Sequence, residues 1–385
     1  MAKEKVILPG ATLGVLGGGQ LGRMFAMAAQ HLGYKVIAFT PDKNSPVSYV
    51  CSKTYVAPFD DESALRSFAG EVAGVTIEFE NIPAQALKLL EELTRVRPGP
   101  QVLHITQNRL REKRFLQEKK FPVVPFYEVT TQEQLSEAID KLGLPVVLKT
   151  AGFGYDGKGQ YLINSEQEGH EAFKAMGGQA AVAEKFIVFE KEISIIGARS
   201  ASGDFVAYGP VENEHRNRIL DLSLAPARIN WSLAEEAIDI TRLIMDALQV
   251  VGLLCVEFFV SADEQLLVNE LAPRPHNSGH YTIEACPTSQ FEQQVRCLTG
   301  LPLGTTETER GAAMANLLGD IWSAGEPDWV SAVALPDVHL HLYGKQEARP
   351  GRKMGHLTAC AKWADEALER VKSARDLLVS TNART

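Results

Sequence analysis

The chain opens with two short apolar runs of β type, Thr12–Leu16 and Tyr34–Phe39, flanking an Ala- and Met-rich stretch, Met24–Leu32. Short buried runs favour strands and Ala-rich stretches favour helix, so the pattern predicts strand, helix, strand. Glycines crowd the first strand-to-helix turn, Gly17-Gly18-Gly19-Gln20-Leu21-Gly22, which marks the start of a βαβ unit. Val75–Phe79 adds another buried strand, and a charged helix is predicted over Pro83–Thr94. The turn-rich Arg97-Pro98-Gly99-Pro100 then interrupts the pattern, and a first domain boundary is placed just beyond it.

Past that break, Asn108–Lys120 reads as a polar, Arg/Lys-rich helix and Leu144–Lys149 as a strand. The strand runs into Ala151–Gln160, with four glycines in ten positions. Ala181–Ile187, Glu192–Ala198 and Phe205–Pro210 are predicted strands, and Ala234–Leu248 has helical periodicity. Leu253–Val260 and Gln265–Asn269 form a hairpin around Asp263-Glu264. The last segment mixes short strands, including Val338–Tyr343, with a closing helix near Asp365–Leu377.

A length of 385 residues exceeds one ordinary core and predicts two or three domains. The apolar fraction of 45% and charged fraction of 23% are those of a soluble globular protein. A net charge of −9 argues against nucleic acid or an anionic membrane as the main partner. Small anions stay open, because phosphate sites are built locally from backbone N–H groups and a few cations. Five cysteines without a CxxC spacing fit a reducing compartment and point away from a zinc or disulfide framework. With no signal-peptide pattern and no apolar stretch near the roughly 20 residues that span a bilayer, a cytoplasmic location is expected.

Four clusters carry candidate chemistry. Gly17-x-Gly19-x-x-Gly22 satisfies the dinucleotide fingerprint, and Asp42 stands where a ribose-binding acid belongs, which supports an NAD-dependent oxidoreductase as one reading. Equally, such glycines serve only to let a helix approach a strand. Lys149 leads into the second glycine-rich loop, whose backbone amides can approach phosphate oxygens, although it lacks the Walker A pattern. Glu257, in an apolar strand, and Glu270, ending the next strand, can share one cleft. Oxygen ligands without thiol or imidazole favour Mg²⁺ over softer metals, a structural ion pair being the plainer alternative. The constrained loop that follows presents Arg274, suited to opposing charge on a transferring phosphoryl group, with His276 and His280 as hydrogen bonders rather than metal ligands. Glu214–Arg218 reads as a polar loop, and Arg349–His356, with Lys345 nearby, as a basic turn able to hold a phosphate.

These segments, Gly17–Gly22 with Gln20, Glu78–Asn81, Gly152–Gln160, Glu184–Ile187, Glu212–Leu220, Asn269–His280 and Gly351–His356, resemble the ATP-grasp superfamily in order and spacing. Within it, the chain resembles the 5-(carboxyamino)imidazole ribonucleotide synthases nearly end to end. The resemblance implies an α/β protein with a Rossmann-like N-terminal domain (1–103), an ATP-grasp α+β domain pair (104–300, lid about 122–190) and a small C-terminal domain (301–385). It demotes Asp42 to an ordinary loop residue and implies a homodimer and transient contact with a downstream mutase.

Carried over by position, ATP meets Arg109, Lys149, the loop Gly154, Tyr155, Asp156, Gly157, Lys158, Gly159 and Gln160, and the hinge Glu184, Lys185, Phe186 and Ile187. Glu192 holds its ribose, His215 and Asn269 lie near the nucleotide, and Glu257 and Glu270 hold Mg²⁺. Tyr155, Asp156, Arg274 and Asn277 are the implied catalytic residues. The ribonucleotide lies against Gln20, Glu80 and Asn81, with its phosphate on Lys345, Arg352 and Lys353. The implied activity is ATP- and bicarbonate-dependent carboxylation of 5-aminoimidazole ribonucleotide through carboxyphosphate. A formate-dependent glycinamide ribonucleotide transformylase, a biotin carboxylase and a silent nucleotide-binding subunit are the alternatives sharing this frame.

Overall fold

The computed structural model describes residues 5–152, 159–308 and 310–379. Its first unit alternates strands and helices: β1 (Thr12–Leu16), α1 (Gln20–His31), β2 (Lys35–Thr40), β3 (Lys53–Val56), α2 (Glu62–Ala69), β4 (Gly74–Ile77), α3 (Ala84–Leu93) and β5 (Arg95–Val96). The five strands form a parallel sheet in the order β3-β2-β1-β4-β5. Parallel strands are buried on both faces, which is why they read as continuous apolar runs. Leu16, Val75 and Ile77 pack with α2 and α3, whereas Leu13 and Val15 pack with Phe25 and Ala29 of α1.

Helices α4 (Pro100–Thr106) and α5 (Arg109–Glu118) lead into a four-stranded antiparallel sheet. It is built from β6 (Phe126–Val129), α6 (Gln132–Leu142), β7 (Val146–Thr150), β8 (Gln160–Ile163), α7 (Glu166–Ala175) and β9 (Ala181–Lys185), in the strand order β6-β9-β7-β8. The boundary expected at residue 103 lies inside α4, whose Leu103 joins the first core and Val102 the central one.

The central body follows with β10 (Lys191–Arg199), β11 (Phe205–Arg216), β12 (Ile219–Ala225), α8 (Trp231–Ala247), β13 (Gly252–Val260), β14 (Leu266–Ala272), α9 (Thr282–Ala285) and α10 (Gln290–Thr299). Then come β15 (Gly311–Leu318), α11 (Trp329–Val333), β16 (Val338–Leu342), β17 (Lys353–Ala361) and α12 (Ala364–Leu377). The C-terminal strands do not stand apart: β15 pairs with β12, giving one eight-stranded sheet, β14-β13-β10-β11-β12-β15-β17-β16. Helix α8 covers one end and α12 the other.

Three local expectations need correction. Glu214-His215-Arg216 is the end of β11 and not a loop; Asn217 and Arg218, with φ of 52° and 65°, make a two-residue hairpin turn to β12. The sequence pattern ends that strand at Pro210 because proline lacks an N–H. In the fold, a register shift opposite Gly209-Pro210 absorbs the missing donor and the strand continues. Met354, Gly355 and His356 likewise belong to buried β17 rather than to the basic turn. Separately from these corrections, α10 lies against the first sheet, more than two hundred residues away in sequence, where Gln294 Nε2 donates to Thr76 Oγ1 (2.9 Å) and Ile77 O (3.0 Å).

Candidate active site

The glycine turn before α1 is filled by a side chain. Glu78, just beyond β4, accepts from Gly22 N at 2.8 Å and from Gly19 N through its other oxygen. A Cβ on Gly17 would stand 2.2 Å from Glu78 Cγ, and one on Gly19 would stand 2.8 Å from its carboxylate oxygens. The glycines therefore seat a carboxylate at the helix N-terminus, the place a dinucleotide pyrophosphate takes in oxidoreductases. Asp42 is exposed beyond β2. Burial pushes the Glu78 carboxyl up, while the two amides, Arg274 and Lys345 oppose that shift, so a buried acid faces two cations here. Replacing Glu78 with alanine strands two amides and is expected to cost about 2–3 kcal/mol in urea unfolding. A loss within about 0.5 kcal/mol, the range of ordinary surface changes, would remove this role.

The residues expected to meet the nucleotide are organised by α5. Asn108 caps it, accepting from Leu110 N and Arg111 N at 3.1 Å each, and Arg109 N donates to Ala151 O at 2.8 Å. Arg109, Glu112 and Lys113 share one helical face, which points inward because Leu116 on that face is fully buried. Lys113 Nζ stands 3.3 Å from Glu184 Oε1, and Lys149 Nζ, on β7, stands 2.8 Å from Glu184 Oε2. Burial alone would push the Glu184 carboxyl up, but the two lysines hold it below the usual range. The residues expected to form the hinge lie just beyond: Lys185 closes β9, Phe186 is exposed and Ile187 half-buried in the link to β10. Glu192 on β10 is ion-paired with His215 Nδ1 on β11. They line an open cleft of about 550 Å³ with Phe189, Asn213 and Arg228. Burial lowers the His215 pKa, yet Glu192 outweighs it and raises the imidazole above its ordinary value.

Of the glycine-rich loop, Gly154, Tyr155, Asp156, Gly157 and Lys158 lie outside the described residues. Gly159 (φ 69°) and Gln160 are described: Thr150 N donates to Gly159 O at 3.0 Å, and Gln160 begins β8. Arg218, at the tip of the β11–β12 hairpin, donates to Gln160 O at 2.9 Å.

Glu257 and Glu270 face each other in register across β13 and β14. A bulge falls at this point, so that Asn269 is the extra residue on β14, a device that re-aims side chains beside active sites. Asn269 Oδ1 is buried without a hydrogen-bond partner in the protein. Burial, then the Glu257 charge, pushes the Glu270 carboxyl up, with Arg109 Nη2 at 4.0 Å pulling the other way. Glu257 itself is lowered: burial raises it, but His276, whose Nε2 is 2.8 Å away, overcomes that. Two opposed carboxylates and an orphaned amide oxygen make a hard, oxygen-only donor set that fits Mg²⁺. Beside these two partly exposed carboxyls Glu112 is buried, accepting from Leu271 N at 3.2 Å; burial, then Glu270, pushes it up to about 8.

Arg274 reaches back to the first unit. Its Nη2 donates to Glu80 Oε1 at 2.8 Å and its Nε to the other Glu80 oxygen, a bidentate pair. Asn277, in the short 3₁₀ turn Asn277–Gly279, accepts from Asn316 Nδ2 at 2.7 Å. Gln20 at the start of α1 and Asn81 are half-buried. Lys345 Nζ donates to Lys353 O at 2.6 Å, and Arg352 Nη1 to Glu347 O at 2.9 Å. Sequence reasoning missed Glu78 as the filler of the glycine turn, along with Lys113 and Glu112. The spacing of Arg109, Glu112 and Lys113 to Leu116 was the available signal for the last two.

Comparison with known proteins identifies the fold and the family. The family profile for an ATP-grasp domain matches residues 114–291, that for a ribonucleotide synthetase preATP-grasp domain 10–107, and that for a phosphoribosylaminoimidazole carboxylase C-terminal domain 312–370. The N5-carboxyaminoimidazole ribonucleotide synthase of Bacillus subtilis is 42% identical over 368 residues, 96% of each chain. A crystal structure of an ADP complex of an N5-carboxyaminoimidazole ribonucleotide synthetase superposes with a TM-score of 0.91 at 45% identity, covering 96% of this chain and 98% of that one. The Aspergillus clavatus synthase, crystallised with ADP and 5-aminoimidazole ribonucleotide, gives 0.86 at 29% identity, covering 96% and 98%. Among the described residues no helix is long and apolar enough to cross a membrane. With matched domains along most of its length and relatives above 40% identity, the chain belongs to the family of N5-carboxyaminoimidazole ribonucleotide synthases, ATP-grasp ligases of purine biosynthesis.

Proposed function

We propose that this chain carboxylates 5-aminoimidazole ribonucleotide with ATP and bicarbonate, and that the residues described above divide the work. The observation that carries this is the in-register Glu257–Glu270 pair with Arg274 beside it, joined through Glu80 to the first unit. A bicarbonate oxygen attacks the γ-phosphorus, the bond to the bridging oxygen breaks, and ADP leaves with carboxyphosphate formed. The exocyclic amine then attacks the carboxyl carbon, the C–O bond to phosphate breaks, and the amine gives up a proton. Phosphorylation is needed because bicarbonate carbon is a poor electrophile.

Glu257, Glu270 and Asn269 would hold Mg²⁺, which when bound supplies charge neutralisation at the β- and γ-phosphates. Lys149 and Lys113, kept together by Glu184, oppose the remaining phosphate charge. Glu192 and His215 take the nucleotide ribose in their cleft. Arg274 opposes charge on the transferring group once Glu80 turns to the ribonucleotide. Gln20 and Asn81 contact the ribonucleotide, and Lys345, Arg352 and Lys353 take its phosphate. Tyr155 and Asp156 belong to the loop proposed to close over the site and exclude water. A homodimer, contact with the downstream mutase, a lid over 122–190 and a cytoplasmic location complete the reading, on the family resemblance.

The deciding experiment is ADP release from Mg-ATP and bicarbonate with and without the ribonucleotide. Strong stimulation supports the assignment; a folded, ATP-binding protein without stimulation redirects it to glycinamide ribonucleotide with formate. Substituting Arg352 with alanine is expected to raise the ribonucleotide KM about tenfold with kcat nearly kept, because a contact to a non-reacting phosphate is lost. An unchanged KM would move the phosphate site elsewhere.

A further inference from the structure

A layer of polar side chains is buried where the Asn277–Gly279 turn and α9 pack on the large sheet. Asn277, His280 and Glu284, three and four residues apart, come from the turn and helix; Asn316, His356 and Thr358 come from β15 and β17. Register holds them together. Asn316 and His341 each pair with His356 across the sheet. The His356 ring stacks on His341 at 4.4 Å and lies 4.8 Å from His280, while Asn316 Nδ2 reaches Asn277 Oδ1 at 2.7 Å.

Six side-chain atoms in this layer are buried without a hydrogen-bond partner in the protein: Asn277 Nδ2, His280 Nε2, Glu284 Oε2, Asn316 Oδ1, His356 Nε2 and Thr358 Oγ1. They are a mixture of donors and acceptors. Gln290 decides the His280 tautomer: its Oε1 accepts from His276 N at 2.9 Å, so its amide hydrogens go to His276 O (2.8 Å) and His280 Nδ1 (3.2 Å). The His280 proton therefore sits on Nε2, an unpaired buried donor. Burial, then the neighbouring imidazoles, lowers the pKa of His280 and His356, which keeps both rings neutral. Orphaned buried polar atoms of both kinds are costly unless satisfied. At about three bonds per molecule, about two water molecules would satisfy six atoms.

The layer also joins the two halves of the site. On one side the Gln290 amide clamps the backbone of His276, whose ring meets Glu257. On the other, Tyr343 OH meets His356 Nδ1 at 2.8 Å, and the Tyr343 ring lies 5.6 Å beneath Lys345 Nζ. We propose that this layer is a water-binding site, and that His280, His356 and Tyr343 act through it as positioning residues for the phosphate-binding turn at Lys345. The positioning half rests on the proposed ribonucleotide assignment; the water site does not.

Two measurements on the full chain test this. In a high-resolution crystal structure, ordered solvent bonded to His280 Nε2 and Asn316 Oδ1 is expected; a dry layer, or a metal ion there, overturns the water site. In kinetics, Tyr343→Phe keeps the ring and removes one hydroxyl. The ribonucleotide KM is expected to rise about fivefold to tenfold, with the KM for Mg-ATP and ribonucleotide-independent ADP release within about twofold. Thr358→Val, which removes one orphaned hydroxyl at constant shape, is expected to move the same constant in the same direction. A merely structural role lowers Tm and moves all constants together, and that result, or an unchanged ribonucleotide KM, overturns the positioning role. Wild-type ADP release insensitive to the ribonucleotide would instead refute the proposed substrate, leaving the solvent measurement to decide the water site.

Discussion

Replacing Glu270 with alanine is expected to lower ribonucleotide-stimulated ADP release by about a thousandfold or more. Of the facing pair, Glu270 is the member whose ionisation the free protein resists: burial and the Glu257 charge push its carboxyl up. Glu257 and Glu270 would hold a divalent cation whose charge would reverse that balance, each carboxylate then being stabilised rather than repelled. Removing Glu270 leaves Glu257 committed to His276 and Asn269 Oδ1 without its companion ligand. Metal-dependent phosphoryl transfer loses several kcal/mol of charge stabilisation, and each 1.36 kcal/mol is about tenfold in rate. The check is single-turnover ADP release, alongside Mn²⁺ binding read by electron paramagnetic resonance. Near-normal turnover, or undiminished Mn²⁺ affinity, would refute the ligand assignment.

Substitution of Arg274 by alanine is expected to reduce the same rate about a hundredfold to a thousandfold while ATP affinity holds. The guanidinium is the cation nearest the Glu80 carboxylate and grips it with two parallel bonds. Burial would raise the Glu80 carboxyl, and Arg274 is what holds it below the ordinary range. Losing the arginine thus removes charge opposing the transferring phosphoryl group and drives Glu80 toward the protonated form, so two functions fail together. Lysine keeps the charge and loses the fork, so Arg274→Lys is expected to recover less than about a tenth of the lost rate. Glu80→Gln separates the roles: it releases Arg274, so ribonucleotide-independent ADP release is expected to rise several-fold as stimulation falls. An alanine variant retaining more than about a tenth of wild-type turnover would remove Arg274 from the chemistry.

Much of this site was visible in the sequence wherever local chemistry carries the signal. The strand Thr12–Leu16 and the paired strands bearing Glu257 and Glu270 were read from their apolar runs, and the structure places them accordingly. The hairpin that brings Glu257 and Glu270 to one cleft was legible, but its plain register would set Glu257 opposite Asn269, and only the bulge in the fold sets it opposite Glu270. The Glu214–Arg218 segment was misread because proline and polar residues imitate a loop, whereas a bulge and a left-handed two-residue turn keep the strand intact.

The run and spacing of residues thus determined the alternation of strands and helices, the glycine-rich turns and the oxygen-only carboxylate pair, since each depends on neighbours within a few positions. Contacts between distant segments needed the folded chain. Glu78 occupying the α1 turn, Arg274 gripping Glu80, Lys113 and Lys149 sharing Glu184, and α10 covering the first sheet all join residues far apart in sequence. Periodicity reports which face of an element is buried but not which element covers it. A buried charge is tolerated only opposite a partner that the packed layers bring to it. The same glycine fingerprint is thus compatible with a dinucleotide or with an internal carboxylate, and the arrival of Glu78 from the end of β4 decides between them.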